Sequence, residues 1–236
     1  MEPHAERDRL AREIEHVVVP AWRRRTGGEQ RWPCAVAILA MIALQLLLPE
    51  RLTVGNRWVL PAVEVIIIVV LMAANPGRLE RSSRPLRMLG LALIAVASLG
   101  NAWSVTWLVH GIATGADIGG AAELLATGGD VWLINVLTFA VWYWELDRGG
   151  PVERAYGSDP YPDFLFPQMT TSGMAPPDWE PQFLDYLYLA FTNSTAFSPT
   201  DTLPLSRGAK SAMLLQSAIS LVTAALVVAK AVNALA

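Results

Sequence analysis

The stretch MLGLALIAVASLGNAWSVTWLV, residues 88–109, contains no charged side chain and is the longest run of this kind in the chain. A helix needs about 20 consecutive apolar residues to cross the hydrocarbon core of a bilayer, which is ~30 Å thick. This stretch is long enough to do so. It therefore predicts a helix that crosses a membrane.

Four further segments are similarly apolar: 32–49, 58–74, 122–145 and 211–235. The whole chain is 53% hydrophobic and only 17% charged, whereas soluble domains carry roughly 25% charged residues. The sequence therefore predicts an all-α fold, a polytopic membrane bundle of about five transmembrane helices. We divide it into a cytoplasmic segment, 1–31, and a transmembrane domain, 32–236.

The arginines predict which ends of the spans face the cytoplasm. One group precedes the first span and another lies between the second and third spans: Arg23, Arg24, Arg25, Arg31, Arg78, Arg81, Arg84 and Arg87. Loops rich in Lys and Arg stay on the cytoplasmic side. The N-terminus is then cytoplasmic, and the loops 50–57 and 111–130 face outward. If 111–130 crosses the membrane as well, the segment 146–210 faces outward instead.

An amphipathic pattern precedes the first span. Apolar residues recur at helical spacing among Arg and Glu, at Leu10, Ile14, Val17, Val18 and Trp22. Such a pattern predicts a helix that lies on the cytoplasmic membrane surface. A helix packed on the protein's own cytoplasmic loops is the alternative.

The segment 146–210 has an unusual composition. Its first half is rich in Pro, Gly, Asp and Tyr, and it continues as PQFLDYLYLAFTNST, residues 181–195, an apolar pattern too short to span. The polar turn SPTDTLPLS follows at 198–206. Non-helical backbone is tolerated at membrane depth only where it is buried in protein or lines a wet cavity. We predict a re-entrant hairpin, with a helix lying in the membrane interface as the alternative.

The stretch DYLYLAFTNSTAFSPTDTLPLSRGAKSAMLLQSAISLVTAALVVAKAVN, residues 185–233, resembles the C-terminal module of a family of uncharacterised bacterial inner-membrane proteins. That module has a DFLY-type short helix, a Thr-x-x-x-x-Phe spacing, an acidic residue, a Ser-Arg pair and a final helix. The matching residues are Asp185, Tyr186, Leu187, Tyr188, Thr192, Phe197, Asp201, Ser206, Arg207 and Asn233. The resemblance implies a multi-pass protein of the bacterial inner membrane and no assigned activity.

The order of elements is also distantly similar to the pore module of potassium channels, in which a short pore helix and a filter precede the inner helix. The residues at the filter position here are Thr192, Asn193, Ser194, Thr195, Phe197, Ser198, Pro199, Thr200 and Asp201. Filter carbonyls replace the hydration shell of the ion, and glycines let successive carbonyls face one axis. This stretch has no glycine, so potassium selectivity of that type is not expected.

Two sets of polar residues are further candidates. Within the spans, Glu64, Asn101, Asp130 and Asn135 are placed to line one polar cavity, and an intramembrane ionisable group is a functional candidate by default. At the cytoplasmic end of the fourth span, Glu145, Asp147 and Arg148 lie beside aromatic residues. They form either a structural ion pair or an access point for a cation or proton.

Several classes of function are not expected from the sequence. The net charge of −3 and the absence of a basic stripe argue against a nucleic-acid partner. The three histidines are too scattered for a zinc site, no G-x-S-x-G motif occurs, and Cys34 is the only cysteine. We therefore expect no enzyme, no cofactor and no bound metal.

Three hypotheses of function remain. The first is a channel-like pore for ions, formed by a homo-oligomer in the lipid bilayer around the hairpin 181–206. The second is a secondary transporter of a small solute, or a proton-coupled carrier, which depends on Glu64. The third is a membrane scaffold or accessory subunit that transports nothing.

Overall fold

The computed structural model describes residues 19–74, 84–115, 120–170, 173, 175–195 and 201–235. It is mostly helical, at 76%, which confirms the all-α fold class. The amphipathic helix predicted before the first span falls largely outside the described residues. So do four of the pore candidates, Phe197, Ser198, Pro199 and Thr200.

The first half of the chain forms four helices. They are α1 (Trp32–Leu47), α2 (Val59–Ala74), α3 (Arg84–Thr114) and α4 (Ala121–Leu146). A 3-10 turn at Glu50–Leu52 lies between α1 and α2, and another at Ala21–Arg23 precedes α1. Each helix coincides with a predicted apolar segment, because these runs contain few polar side chains that favour exposure to water.

The second half contains shorter elements. A 3-10 turn, Asp147–Gly149, is followed by α5 (Pro151–Tyr156), β1 (Phe164–Leu165), α6 (Pro167–Thr170), α7 (Phe183–Thr195), β2 (Leu203–Pro204) and α8 (Arg207–Leu235). The break after α4 has a local cause, since Arg148, Gly149 and Gly150 all have positive φ angles, of 52°, 79° and 99°. Such angles do not continue a right-handed helix.

Within the described residues, α3, α4 and α8 are long and apolar enough to cross a membrane. The apolar helices α1 and α2 have 16 residues each, which is about 24 Å of helix at 1.5 Å per residue. That is shorter than the ~30 Å core of a bilayer. The count of five spans therefore stays a prediction.

The helices on either side of the loop predicted at 111–130 are longer than the sequence indicated. α3 continues to Thr114 and α4 begins at Ala121, so only the six residues 115–120 connect them. Six extended residues reach about 21 Å, less than the bilayer core.

The bundle is organised around α4, which contacts α1, α3, α7 and α8. Its closest approach is to α8, where a Cβ on Gly128 would lie 2.6 Å from each methyl carbon of Val227. Val131, Ala140 and Tyr143 on α4 have no solvent exposure. This central position explains why α4 carries most of the buried contacts described below.

The segment around α7 enters and leaves the bundle at the same end. Phe183 contacts Trp144 near the C-terminus of α4, with ring centroids 6.0 Å apart, and Phe191 contacts Trp132 further along, at 5.6 Å. β2 then pairs antiparallel with β1, with Phe164 opposite Pro204, next to the end of α4. α7 thus runs antiparallel to α4, and β2 lies again next to the C-terminal end of α4.

Candidate functional site

A carboxyl group is enclosed within the bundle on α2. Glu64 has no solvent exposure, and its Oε1 accepts a hydrogen bond of 3.1 Å from Nε2 of Gln45 on α1. Oε2 of Glu64 and Oε1 of Gln45 have no hydrogen-bond partner among the described residues. A buried polar atom without a partner costs roughly 1–3 kcal/mol. The hydrogen bond between Gln45 and Glu64 therefore does not satisfy all the polar atoms of the two side chains.

A small cavity lies beside this pair, with a volume of about 20 Å³. At one end it is lined by Val54 and Asn56, which are exposed in the loop between α1 and α2. At the other end it is lined by the buried amides of Gln45 and Asn101. Arg57 also lines it, and its Nη2 donates to the carbonyl oxygens of the last residues of α1. The cavity connects the loop to the bundle interior.

Amide side chains join three helices next to this cavity. Nδ2 of Asn101 on α3 donates to Oδ1 of Asn135 on α4, at 2.9 Å. Nδ2 of Asn135 donates in turn to Oγ of Ser220 on α8, also at 2.9 Å. Of the four residues predicted to line one polar cavity, Asn101 and Asn135 are thus bonded to each other, but among the four only Asn101 lines the cavity described above. Oδ1 of Asn101 has no partner among the described residues.

A second polar cluster holds the end of α7. Nδ2 of Asn193 lies 2.8 Å from Oε1 of Gln216 and 3.2 Å from the hydroxyl oxygen of Tyr143. The Tyr143 hydroxyl donates to the same Gln216 oxygen. Nε2 of Gln216 donates to Oγ of Ser194 at 2.8 Å, and Ser217 donates to Oδ1 of Asn193 at 3.1 Å. The amide of Asn193 is thus occupied within one chain.

The other described pore candidates are held locally or face outward. The hydroxyl of Thr192 donates to the carbonyl of Tyr188, and that of Thr195 donates to the carbonyl of Thr192, both within α7. Asp201 is exposed. Asp130 is partly exposed and makes no hydrogen bond with the described residues, so it does not join the asparagines.

At the C-terminal end of α4, Asp147 is fully buried and linked to the hairpin. Its Oδ2 accepts from the Tyr186 hydroxyl of α7 at 2.6 Å, and its Oδ1 accepts from the backbone N–H of Asp163 at 2.8 Å. Arg148 is also buried, and it donates to the carbonyl oxygens of Asp159 and Trp22. The side chains of Asp147 and Arg148 therefore have different hydrogen-bond partners.

Glu145 is partly buried, and one of its carboxylate oxygens, Oε2, would lie 3.0 Å from a Cβ on Gly150. Burial disfavours its charged form, and the guanidinium groups of Arg154, Arg87 and Arg31 act in the opposite direction. The carboxylate lies next to the turn after α4 and to Gly90 on α3.

A buried ion pair attaches the segment before α1 to the same end of the bundle. Oε1 of Glu29 lies 2.6 Å from Nη2 of Arg154, and the two side chains are 6% and 5% exposed. Nε1 of Trp144 donates to the other Glu29 oxygen at 2.6 Å. Burial raises the pKa of the Glu29 carboxyl, whereas Arg154 and Trp144 act in the opposite direction. The pair, together with buried Trp22, packs this segment on the protein itself.

Sequence reasoning did not single out the partners of these residues. They are Gln45, Arg57, Tyr143, Gln216 and Ser220 on one side, and Glu29 and Arg154 on the other, whereas Tyr186 entered only through the family resemblance. Two signals were present, since Gln45 and Gln216 are the only glutamines in their apolar helices. An amide in such a position indicates an interhelical hydrogen bond.

The part of the chain that the structure describes contains no group of three or more His, Cys, Asp or Glu able to hold a metal ion. Comparison with family models, with curated proteins and with solved structures finds no match. The chemistry of the site is therefore argued from its geometry.

Proposed function

We propose that the chain is a membrane-embedded, proton-coupled carrier of a small solute, with Glu64 as the proton-binding group. The observation that carries this proposal is the enclosed Glu64 carboxyl, which has one oxygen without a partner among the described residues. An ionisable side chain at membrane depth is costly and is retained where it works on an ion or proton. No Lys or Arg of the described residues forms an ion pair with Glu64.

The polar residues around Glu64 support the same proposal. The cavity next to Gln45 offers a route from the loop at 53–57, and the asparagine pair extends the polar region to α3, α4 and α8. A carboxyl group in this setting changes its charge by exchanging a proton with water. Coupling to a solute then requires that the two protonation states favour different arrangements of the helices.

The test is proton uptake by liposomes that contain the purified protein, an internal pH-sensitive dye and an imposed pH gradient. Glu64→Gln keeps the size of the side chain and removes its titration. We expect uptake by this variant to fall to the level of empty liposomes. Glu123→Gln is the matched control, since Glu123 is exposed and forms a surface pair with Arg51 at 3.7 Å. Equal uptake by both variants contradicts the proposal.

A channel-like pore is the second candidate, and the path of α7 favours it. A 13-residue helix packs between α4 and α8 and is followed by a return to the same end of the bundle. Its outer face carries Leu184 and Tyr188, which are 70% and 66% exposed and offer contacts to further copies. Because Asn193 is hydrogen-bonded within one chain, its amide is not free to line an ion path in this candidate.

Electrical recording separates the two candidates. A pore gives single-channel currents that persist in Glu64→Gln and change in Asp201→Asn, whereas a carrier gives proton uptake without unitary currents. A protein that gives neither signal in liposomes fits the third hypothesis, a scaffold or accessory subunit.

A further inference from the structure

The cavity between the loop at 53–57 and α3 has an unusual set of unpartnered atoms. Oε1 of Gln45, Oδ1 of Asn101 and Nε of Arg57 are all buried, and none has a hydrogen-bond partner among the described residues. All three residues line the same cavity. Gln45 and Asn101 are only 6% and 3% exposed. The residues that line this cavity therefore carry two unpartnered acceptors and one unpartnered donor.

This combination determines the chemistry of the ligand. A water molecule donates two hydrogen bonds and accepts others, so it satisfies both amide oxygens and the N–H of Arg57. A bare cation is disfavoured because the guanidinium of Arg57 faces the same space, and an anion is disfavoured by the two carbonyl-type oxygens. A single water needs roughly 10–15 Å³ and two to four polar partners, and the cavity provides about 20 Å³.

We propose that this cavity binds a water molecule held by Gln45, Asn101 and Arg57, and that protons reach Glu64 from the loop end through it. The second part rests on the proposed function. The cavity ends at Gln45, whose Nε2 lies 3.1 Å from Oε1 of Glu64. A hydronium ion at the loop gives a proton to the bound water, this water passes a proton on towards the Glu64 carboxylate, and the carboxylate becomes neutral. The bound water gives one proton and receives another, so it is unchanged.

In this proposal Arg57 is more than a charged group at the surface. Its Nη2 donates to the carbonyl oxygens of Leu46 at 3.3 Å and Leu48 at 3.1 Å, which fixes the guanidinium at the end of α1. Arg57 lines the cavity, and its Nε has no hydrogen-bond partner among the described residues. Arg57 is therefore a positioning residue for the water.

The route is tested by blocking the cavity from the loop side. Val54 lines the cavity and is 41% exposed, so Val54→Cys places a thiol at its mouth. A bulky, membrane-impermeant methanethiosulfonate reagent is added to liposomes in which this loop faces the bath. We expect proton uptake by the modified variant to fall to the level of empty liposomes. Glu50→Cys is the control, because Glu50 is exposed in the same loop and does not line the cavity.

The wild-type protein is a second control, since its single cysteine, Cys34, is buried. Unchanged uptake by Val54→Cys, after mass spectrometry has shown complete modification, overturns the route while Glu64→Gln remains inactive. An active Glu64→Gln variant overturns the proposed function and the proton route with it.

The water itself is tested separately from transport, by an experimental density map of the wild-type protein and of Gln45→Leu. We expect one peak within hydrogen-bonding distance of Gln45, Asn101 and Arg57 in the wild type and its loss in the variant. An empty cavity in the wild type, or a metal ion bound by the two amide oxygens, overturns the inference.

Discussion

Gln216 has no solvent exposure although it lies in α8, a helix long and apolar enough to cross a membrane. Its amide nitrogen donates to the carbonyl of Ala190 and to Ser194, and its oxygen accepts from Asn193 and Tyr143. A buried amide is tolerated when its donors and acceptors are occupied. One side chain thereby ties α7 to α4 and α8.

Replacing Gln216 by Leu is expected to destabilise the protein by about 1–3 kcal/mol, because Ser194, Asn193 and Tyr143 lose a buried partner. The measurement is thermal or denaturant unfolding in detergent. Leu214→Ala is the control, since Leu214 on the same helix is 73% exposed. Equal losses for the two variants would mean that the amide network contributes nothing specific.

Glu29 and Arg154 form a buried ion pair at the C-terminal end of α4. Removal of one partner of a buried ion pair typically costs ~3–5 kcal/mol, because the other charge stays buried without compensation. We expect a loss of that order for Arg154→Met, measured by unfolding in detergent. The exposed pair Arg51–Glu123 provides the comparison, and Glu123→Gln is expected to cost only about 0–1 kcal/mol. A small effect of Arg154→Met would show that Trp144 and solvent compensate Glu29.

At the scale of elements, the contact between α4 and α8 depends on one glycine. A Cβ at Gly128 would lie 2.6 Å from both methyl carbons of Val227, whereas at Gly129 nothing lies within 4 Å. Small residues at such points let two membrane helices approach closely. Val227 is β-branched and has little freedom to move aside.

Gly128→Ala is therefore expected to lower the unfolding temperature, because α4 and α8 must separate. Gly129→Ala is expected to leave it unchanged or to raise it, since Ala is favoured over Gly in a helix by up to about 1 kcal/mol. The two variants add the same methyl group one residue apart. If they behave alike, the close approach of the helices is not tight in solution.

The hairpin around α7 is held by polar contacts at its far end. Asn193 donates to the carbonyl of Met213 at 3.0 Å as well as to Gln216. We expect Asn193→Leu to increase hydrogen–deuterium exchange in residues 186–195, because that end of α7 loses its attachment to α8. Leu184→Ala is the control on the exposed face of α7. Protection that survives in Asn193→Leu would show that apolar packing alone holds the hairpin.

At the scale of the whole molecule, the two ends of the bundle differ in character. The end of α4 carries buried Asp147, Arg148, Glu29 and Arg154, and it also receives α7 and the β1–β2 pair. The opposite end has the loop at 48–58 and the six-residue connection between α3 and α4. The positive-inside rule predicts that the first end faces the cytoplasm.

Labelling of single cysteines in intact cells tests this orientation. We expect Glu50→Cys to react with an impermeant thiol reagent added outside, and Lys210→Cys at the start of α8 to react only after the membrane is opened. Both positions are exposed. Reaction of both from the outside would contradict an odd number of crossings between residues 50 and 210.

The sequence by itself determined the helices, because a long run without charges is a local property that few structures other than a membrane or core helix accommodate. It also marked Asn101 and Asn135, together with Glu64 and Asp130, as polar residues placed to line one cavity, and Glu64 as an ionisable group within a span. Its limit lies at 111–130, where a Gly-rich stretch predicted a loop, whereas the structure continues α3 to Thr114 and begins α4 at Ala121.

Only the tertiary structure decided which polar atoms form hydrogen bonds with one another. Gln45 is 19 residues from Glu64, Tyr143 is 73 from Gln216, and Glu29 is 125 from Arg154. Hydrophobic periodicity adds up along one segment, whereas a hydrogen bond depends on how two distant segments are placed. The cavity at Gln45, Arg57 and Asn101 exists for that reason: each residue is ordinary in its own helix or loop, and packing leaves their unpartnered atoms around one space.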